Sequence, residues 1–136
     1  MVTSMILSRY VGTPPRDGED RKIQGGPLYL DIIDLIDECD TLPWTRRCIR
    51  DVQSLSLDAD DIKSMVIKAV TKGRFLGSEW CQGSKPGVWA ACDAYSFEHS
   101  FWCQAMHKEL NNEFYIKFFV NITGNVVLTV SLHLSN

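Results

Sequence analysis

The chain has no long hydrophobic run, no excess of positive charge and no paired cysteine motif, and each absence excludes a class of protein. No window approaches the roughly 20 apolar residues of a membrane span, and residues 1–10 lack the apolar core of a secretion signal. A net charge of -3 argues against coating nucleic acid through bulk charge. Five cysteines, an odd number spread along the chain, indicate reduced thiols in a cytoplasmic protein rather than a disulfide framework.

The length and hydrophobic content of the chain are sufficient for one domain. A chain of 136 residues with 45% hydrophobic composition can build a single core. Residues 11–27 are rich in glycine, proline and charge and hold few apolar side chains, so burial cannot offset the cost of ordering them. The sequence therefore predicts a flexible N-terminal arm over residues 1–27 and one folded domain over residues 28–136.

Positive charge is concentrated in the middle of the chain. Residues 41–90 hold eight basic and five acidic side chains, a local excess of three positive charges, while the flanking segments are net negative. Such a cluster is either a solvated helix surface or a patch that contacts phosphates. Its members are Arg46, Arg47, Arg50, Lys63, Lys68, Lys72, Arg74 and Lys85.

Apolar spacing predicts three helices in the first half of the chain. The first begins near Pro27 and carries apolar residues at intervals of three and four as far as Cys39. The second covers about residues 45–55. The third is capped by Asp58, carries an apolar stripe from Ile62 to Val70 and ends at Gly73.

The second half reads as strands. Short strands are predicted over 74–79, 87–91 and 96–106, followed by a β-hairpin of 114–121 and 125–134 around a three-residue loop. That loop length places Tyr115 opposite Ser131 and Lys117 opposite Thr129, although a slip of two residues in register would leave the faces unchanged. The overall prediction is an α+β domain in which N-terminal helices pack on a small, mainly antiparallel sheet that ends in a β-hairpin.

Alternation within the hairpin separates a core face from a polar face. Phe114, Ile116 and their apolar partners share one face, and Tyr115, Lys117 and His133 share the other. A phenol, an ammonium and an imidazole on one polar face are typical of either an ordinary solvated sheet surface or a reactive site.

Four segments together resemble the MqsR family of bacterial toxin ribonucleases, relatives of the RelE-like fold. The resemblance covers roughly residues 28–133. It implies the toxin of a type II toxin–antitoxin system: a cytoplasmic endoribonuclease that cleaves mRNA without a metal or other cofactor and is silenced by a cognate antitoxin protein. The segments are TRRCIRDVQSLSLDADDIKSMVIKAVTKGRF (45–75), VWAACDAY (88–95), FYIKFFV (114–120) and VLTVSLH (127–133).

The resemblance assigns residues one by one. The family's strand tyrosine and lysine fall on Tyr115 and Lys117, and His133 stands where the family has a lysine after its V-x-x-S run. The family's F-Y-K-S segment is altered, so its lysine is replaced by Gly77, and the glutamine after the tryptophan is Ala90. The active centre is therefore either rebuilt from neighbours or absent; the candidate neighbours are Arg74, Lys85 and Gln82.

Metal-free RNA cleavage requires a base for the 2′-hydroxyl proton, an acid for the leaving 5′-oxygen and cations for the developing charge. We predict His133 as acid or base, Tyr115 as the group that orients the phosphate or shares proton transfer, and Lys117 as an electrostatic group. The predicted RNA-binding residues are Arg74, Lys85, Lys72, Lys68 and Arg50. Tryptophans 80, 89 and 102 either stack on bases or belong to the core.

A second interpretation belongs to a different class of protein. The replaced lysine and glutamine positions favour a non-catalytic module of the same fold, which would bind or inhibit another protein through its acidic first helix and N-terminal arm. The histidine, the tyrosine and the basic cluster favour the enzyme.

Overall fold

Sheet dominates the architecture in the computed structural model, which describes residues 4–135. The first three residues of the predicted arm and the last residue of the predicted domain lie outside this range. One sheet contains all seven strands described: β1 (Met5–Ile6), β2 (Lys22–Ile23), β3 (Asp40–Pro43), β4 (Arg74–Gln82), β5 (Val88–Cys103), β6 (Lys108–Val120) and β7 (Val126–Leu134). The helices are α1 (Ile32–Leu35), α2 (Arg46–Ser54) and α3 (Ala59–Lys72), with a 3₁₀ turn at Ile36–Glu38.

The sheet is mixed. Its strands run in the order β2, β4, β5, β6, β7, β3, and β1 pairs with β5 outside this path. Neighbours from β2 through β7 are antiparallel, whereas β1 lies parallel to β5 and β3 parallel to β7. Chain segments far apart in sequence therefore meet at both parallel pairs.

The predicted fold class was wrong. The protein is not a set of N-terminal helices on a small sheet: two strands precede the helices, and the sheet forms most of the structure. Strands of two to four residues, such as β1, β2 and β3, show no periodicity of their own. They form because a long strand supplies the backbone partners, which local sequence patterns do not reveal.

In place of the first predicted helix, the structure has only the single helical turn α1 and the 3₁₀ turn that follows it. Tertiary hydrogen bonds fix the chain before it: the buried Asp93 carboxylate accepts from the backbone amides of Leu28 at 3.0 Å and Tyr29 at 3.1 Å. The Tyr29 hydroxyl donates to the Ala91 carbonyl at 2.5 Å. These bonds tie residues 28 and 29 to β5, so the apolar spacing from Pro27 onward does not produce a continuous helix.

The other two helical predictions are confirmed. Thr45 caps α2, because its hydroxyl oxygen accepts from the Cys48 amide at 3.1 Å. A capping box between Asp58 and Asp61 starts α3, with amide-to-carboxylate distances of 2.8 and 2.9 Å. The predicted apolar stripe of α3 is buried; its buried members are Ile62, Met65, Val66 and Ala69.

The closing hairpin is also confirmed, but its predicted register was wrong. Tyr115 lies opposite His133 and Lys117 opposite Ser131. The loop is longer than predicted because the Asn121 side-chain oxygen accepts from the Asn125 and Val126 amides, each at 3.0 Å. A bulge after Lys117 adds a second shift of one residue. Together these displace the register by two residues, which preserves the faces and changes the partners.

The central strands are longer than predicted. The predicted strands 87–91 and 96–106 fall largely within the single strand β5, and residues 104–106 form a turn after it. β5 pairs with β4 over residues 89–96 and with β6 over residues 93–103, so residues 93–96 have a partner on both sides. Within residues 4–135, no helix has the length and apolar character needed to cross a bilayer.

Candidate active site

Four polar residues form one row across four strands. Arg74 of β4 lies opposite Ser96 of β5, Ser96 opposite Tyr115 of β6, and Tyr115 opposite His133 of β7. Residues directly opposite each other in a sheet share a face, and neighbouring strands are about 4.8 Å apart, so the row spans about 14 Å. A guanidinium, a hydroxyl, a phenol and an imidazole are thus aligned on one face.

Tyr115 and His133 are in direct contact. Their ring centroids are 5.3 Å apart with an interplanar angle of 20°, and both side chains are half-buried. The His133 Nδ1 atom lies 3.0 Å from the Leu134 carbonyl oxygen. Because a carbonyl only accepts, Nδ1 carries the proton in this hydrogen bond, and in the neutral ring Nε2 keeps its lone pair. The imidazole is therefore held in the tautomer that accepts a proton at Nε2.

Tyr115 contributes a protonated hydroxyl to this pair. Burial raises the pKa of its phenol above the ordinary value of 10.0, so the hydroxyl stays protonated around neutral pH. The side chain lines a hollow of about 390 Å³ between β2 and the bulged part of β4, together with Lys22 and Glu79. A proton donor thus stands beside a proton acceptor.

Lys117 occupies the same face as Tyr115, but its ammonium is already paired. Its Nζ atom lies 2.8 Å from a Glu79 carboxylate oxygen, and its side chain is only 16% exposed. Burial alone would lower the pKa of Lys117; the nearby Cys81 and Glu79 outweigh burial and raise that pKa above the ordinary value of 10.5. Lys117 is therefore a positively charged group on this face, and the Glu79 carboxylate partly neutralises its charge.

His133 also borders the surface of α2. With Arg47 and Asp51 it lines two adjoining hollows of about 450 and 280 Å³. Arg50 was the residue predicted from this helix, but Arg47 is the arginine that lines these hollows with His133; both arginines are exposed. The helical pattern puts Arg47 and Asp51 one turn apart, but it does not reveal which arginine borders β7.

Three of the predicted RNA-binding residues converge on one site, which we call the basic hollow. Lys68 and Lys72 of α3 and Arg74 of β4 line a hollow of about 640 Å³. Glu98 and Glu113 also line it, so three cations face two carboxylates. The Ser96 hydroxyl donates a short hydrogen bond to Glu113. Because Arg74 and Ser96 belong to the row, the basic hollow adjoins the row at its β4 end.

The remaining predicted basic residue lies elsewhere. Lys85 is exposed in the loop between β4 and β5, at the opposite end of β4 from Arg74, and the nine residues of that strand span about 27 Å. Gly77 and Ala90, where the sequence departs from the pattern that it resembles, supply no functional side chain: Gly77 lies in the β4 bulge with φ of +146°, and Ala90 is fully buried. Gln82 ends β4 opposite Trp89.

The tryptophans divide into core and surface. Trp80 and Trp89 are each 6% exposed and form a small apolar cluster with Ala91. Trp102 is 56% exposed, near the end of β5. Packing accounts for the first two side chains, and Trp102 remains available for stacking.

His99, which contacts Lys68, gives the stability of the protein a measurable pH dependence. Burial and the neighbouring Lys68 ammonium, 3.0 Å from its Nδ1 atom, lower the pKa of His99 below the ordinary 6.5. As pH decreases below about 6.5, His99 takes up a proton in the unfolded chain but stays neutral in the folded chain. Protonation therefore favours the unfolded chain, and the free energy of unfolding decreases as pH decreases. Urea unfolding between pH 5 and 8 should show a shallower pH slope for His99→Gln than for wild type. An unchanged slope would contradict this, and His107→Asn, an exposed histidine, is the matched control.

Two residues of the site, Ser96 and Glu113, were not predicted from the sequence, and Arg47 was predicted only as one member of the basic cluster. Alternation along β5 and β6 places Ser96 and Glu113 on the polar face, but their roles depend on the registers of β4 with β5 and of β5 with β6. Among the described residues, no group of three or more histidine, cysteine or acidic side chains is placed to hold a metal ion.

No protein-family model matches this chain significantly, and no curated protein sequence or solved structure does so either.

Proposed function

We propose that this protein is a metal-independent endoribonuclease that cleaves mRNA, the toxin of a bacterial type II toxin–antitoxin system acting in the cytoplasm. The observation that carries the proposal is the row Arg74–Ser96–Tyr115–His133, in which a proton acceptor stacks on a protonated phenol and a guanidinium lies on the same face. The resemblance to the MqsR family supplies the class of reaction and the expectation of a cognate antitoxin.

The chemistry follows from the two stacked rings. Nε2 of His133 takes the proton of a ribose 2′-hydroxyl, and the O2′ atom attacks the adjacent phosphorus. As the bond to the 5′-oxygen breaks, Tyr115 gives its proton to that oxygen. The imidazolium then returns a proton to the phenolate, so the enzyme is regenerated. The products are a 2′,3′-cyclic phosphate and a free 5′-hydroxyl.

The cations stabilise the charge that builds on the phosphate. Arg74 is exposed and free to contact a phosphate oxygen. Its planar guanidinium group can donate two parallel hydrogen bonds to a phosphate. Lys117 contributes more weakly, because Glu79 shares its charge. Lys117 thus serves as electrostatic support for the phosphate.

Purified protein tests the proposal directly. Incubated with a labelled single-stranded RNA in EDTA, it should produce fragments that end in a 2′,3′-cyclic phosphate, and the same sequence made of DNA should stay intact because it lacks the nucleophile.

Expression in a bacterial host provides a second test. Induced wild type should halt growth and degrade RNA. Tyr115→Phe keeps the stacked rings but lacks the hydroxyl, so it should have a much smaller effect on both. Intact RNA and normal growth with folded wild type would refute the proposal.

The non-catalytic alternative has one structural observation in its favour. Leu30 is 82% exposed and Ile33 40% exposed, close to the exposed acidic Asp34 and Asp37. An apolar and acidic surface of this kind suits a basic, partly apolar protein partner. If wild type leaves RNA intact, a complex that is lost on Leu30→Asp would support this second function.

A further inference from the structure

The two longest strands extend beyond the rest of the sheet. β4 begins opposite Ser96 and β7 ends opposite Phe114, but β5 and β6 stay paired as far as Cys103 and Lys108. We call this two-stranded extension, residues 98–113, the ribbon. Its strands contribute part of the basic hollow.

One face of the ribbon continues the face that carries the row. By alternation along β5, Ser100 and Trp102 lie on the same face as Ser96, and Asn111 lies opposite Ser100. Six residues of strand separate Ser96 from Trp102, a distance of about 20 Å. The proposed catalytic pair and an exposed indole therefore lie on one continuous surface, with the basic hollow between them.

The basic hollow has cations on one side and hydrogen-bonding groups on the other, an arrangement that is complementary to a nucleotide. Its cations come from the end of α3 and from Arg74, whereas its ribbon side offers carboxylates, a hydroxyl and an amide, including Ser100 and Asn111. A nucleotide likewise has an anionic phosphate on one side and a neutral base with donors and acceptors on the other. The volume of about 640 Å³ lies within the range of small-ligand sites.

We propose that the basic hollow and Trp102 bind unpaired nucleotides that flank the cleaved bond, with phosphates against Lys72 and Arg74 and a base stacked on the indole. The carboxylates of Glu98 and Glu113 repel phosphate, so they keep the RNA backbone on the α3 side and turn the bases toward the ribbon. The proposal takes RNA as the ligand from the proposed function, but it concerns binding and needs no cleavage.

Binding is measured with RNA that cannot be cut. A fluorescein-labelled single-stranded 2′-O-methyl RNA is titrated with the full chain, and anisotropy gives the Kd. Trp102→Ala should weaken binding roughly 5- to 100-fold, the usual range for the loss of one stacked base, while Trp102→Phe retains most of the affinity. Lys72→Ala should lower the slope of log Kd against log salt by about 0.7, as expected for one lost phosphate contact.

The chain provides a matched control. Met106, at the tip of the ribbon, is 54% exposed, nearly the same as Trp102, and Met106→Ala should bind like wild type. Equal Kd values for wild type and Trp102→Ala would overturn the proposal, as would equal losses for Trp102→Ala and Met106→Ala or a wild type that binds no RNA. A blunt duplex of the same sequence should bind more weakly, because its bases are already stacked.

Failure of this inference is distinguishable from failure of the proposed function. If wild type cuts unmodified RNA but Trp102→Ala binds like wild type, only the ribbon proposal fails. If Trp102→Ala loses affinity and wild type leaves unmodified RNA intact, the chain is an RNA-binding protein and only the cleavage proposal fails.

Discussion

His133→Ala should slow cleavage of a purified RNA by about 10²- to 10⁴-fold, the range that one positioned general base contributes. The reason is specific to this site: the Nδ1 bond to the Leu134 carbonyl holds the imidazole in the tautomer whose Nε2 accepts a proton. Alanine removes the base and also the ring that stacks on Tyr115. Single-turnover rates at saturating enzyme separate the loss of chemistry from any loss of RNA binding.

The control for this variant lies on the ribbon. His107 is exposed and has a left-handed backbone with φ of 49°, which asparagine tolerates, so His107→Asn should cleave at the wild-type rate. His133→Gln retains a side-chain hydrogen-bond donor near Leu134 but has no comparable base, and it should be nearly as slow as His133→Ala. A His133→Ala rate within threefold of wild type would contradict the assignment of the base.

Asp93→Ala should lower the free energy of unfolding by roughly 2–6 kcal/mol, because it leaves two buried donors, on Tyr29 and Ser78, without an acceptor, each at a cost of about 1–3 kcal/mol. The half-buried Leu28 amide loses its acceptor as well. Asp93 is fully buried and accepts from the amides of Leu28 and Tyr29 and, at 2.6 Å, from the hydroxyl of Ser78. Ordinary domains have only about 5–15 kcal/mol of stability in total, so this variant is expected to be close to unfolding.

Urea unfolding followed by circular dichroism measures this effect. Asp34→Ala removes an exposed carboxylate of α1 and should change stability by less than about 0.5 kcal/mol. Asp93→Asn keeps one acceptor oxygen at the same position and should lose less stability than Asp93→Ala. A loss below about 1 kcal/mol for Asp93→Ala would show that the carboxylate does not hold the segment that precedes α1.

Local signals in the sequence were reliable where a structure depends on neighbouring residues. The capping box of Asp58 and Asp61 is a pattern of four consecutive residues, and the stripe of α3 is a repeat within one helix. The placement of Tyr115 and His133 on one face also followed from alternation alone. A register shift of two residues leaves that result unchanged, which is why the prediction of faces survived a wrong register.

The site itself depended on contacts that no local pattern encodes. Bringing Arg74 into line with His133 requires three strand registers across 59 positions of the chain. The loop length at Asn121 and the bulge after Lys117 decide that Tyr115 faces an imidazole and not Ser131. In the same way, the partner of Lys117 is Glu79, which lies 38 residues away in the sequence.

The amino-acid sequence alone therefore determined the strong helices, the closing hairpin and the division between apolar and polar faces, because periodicity and capping act over a few residues. Only the tertiary structure decided that sheet predominates, that the N-terminal segments join it and which polar groups stand side by side. The physical reason is that strand pairing and buried carboxylates such as Asp93 satisfy backbone groups from distant parts of the chain. Those long-range hydrogen bonds override the local preference for helix near Pro27.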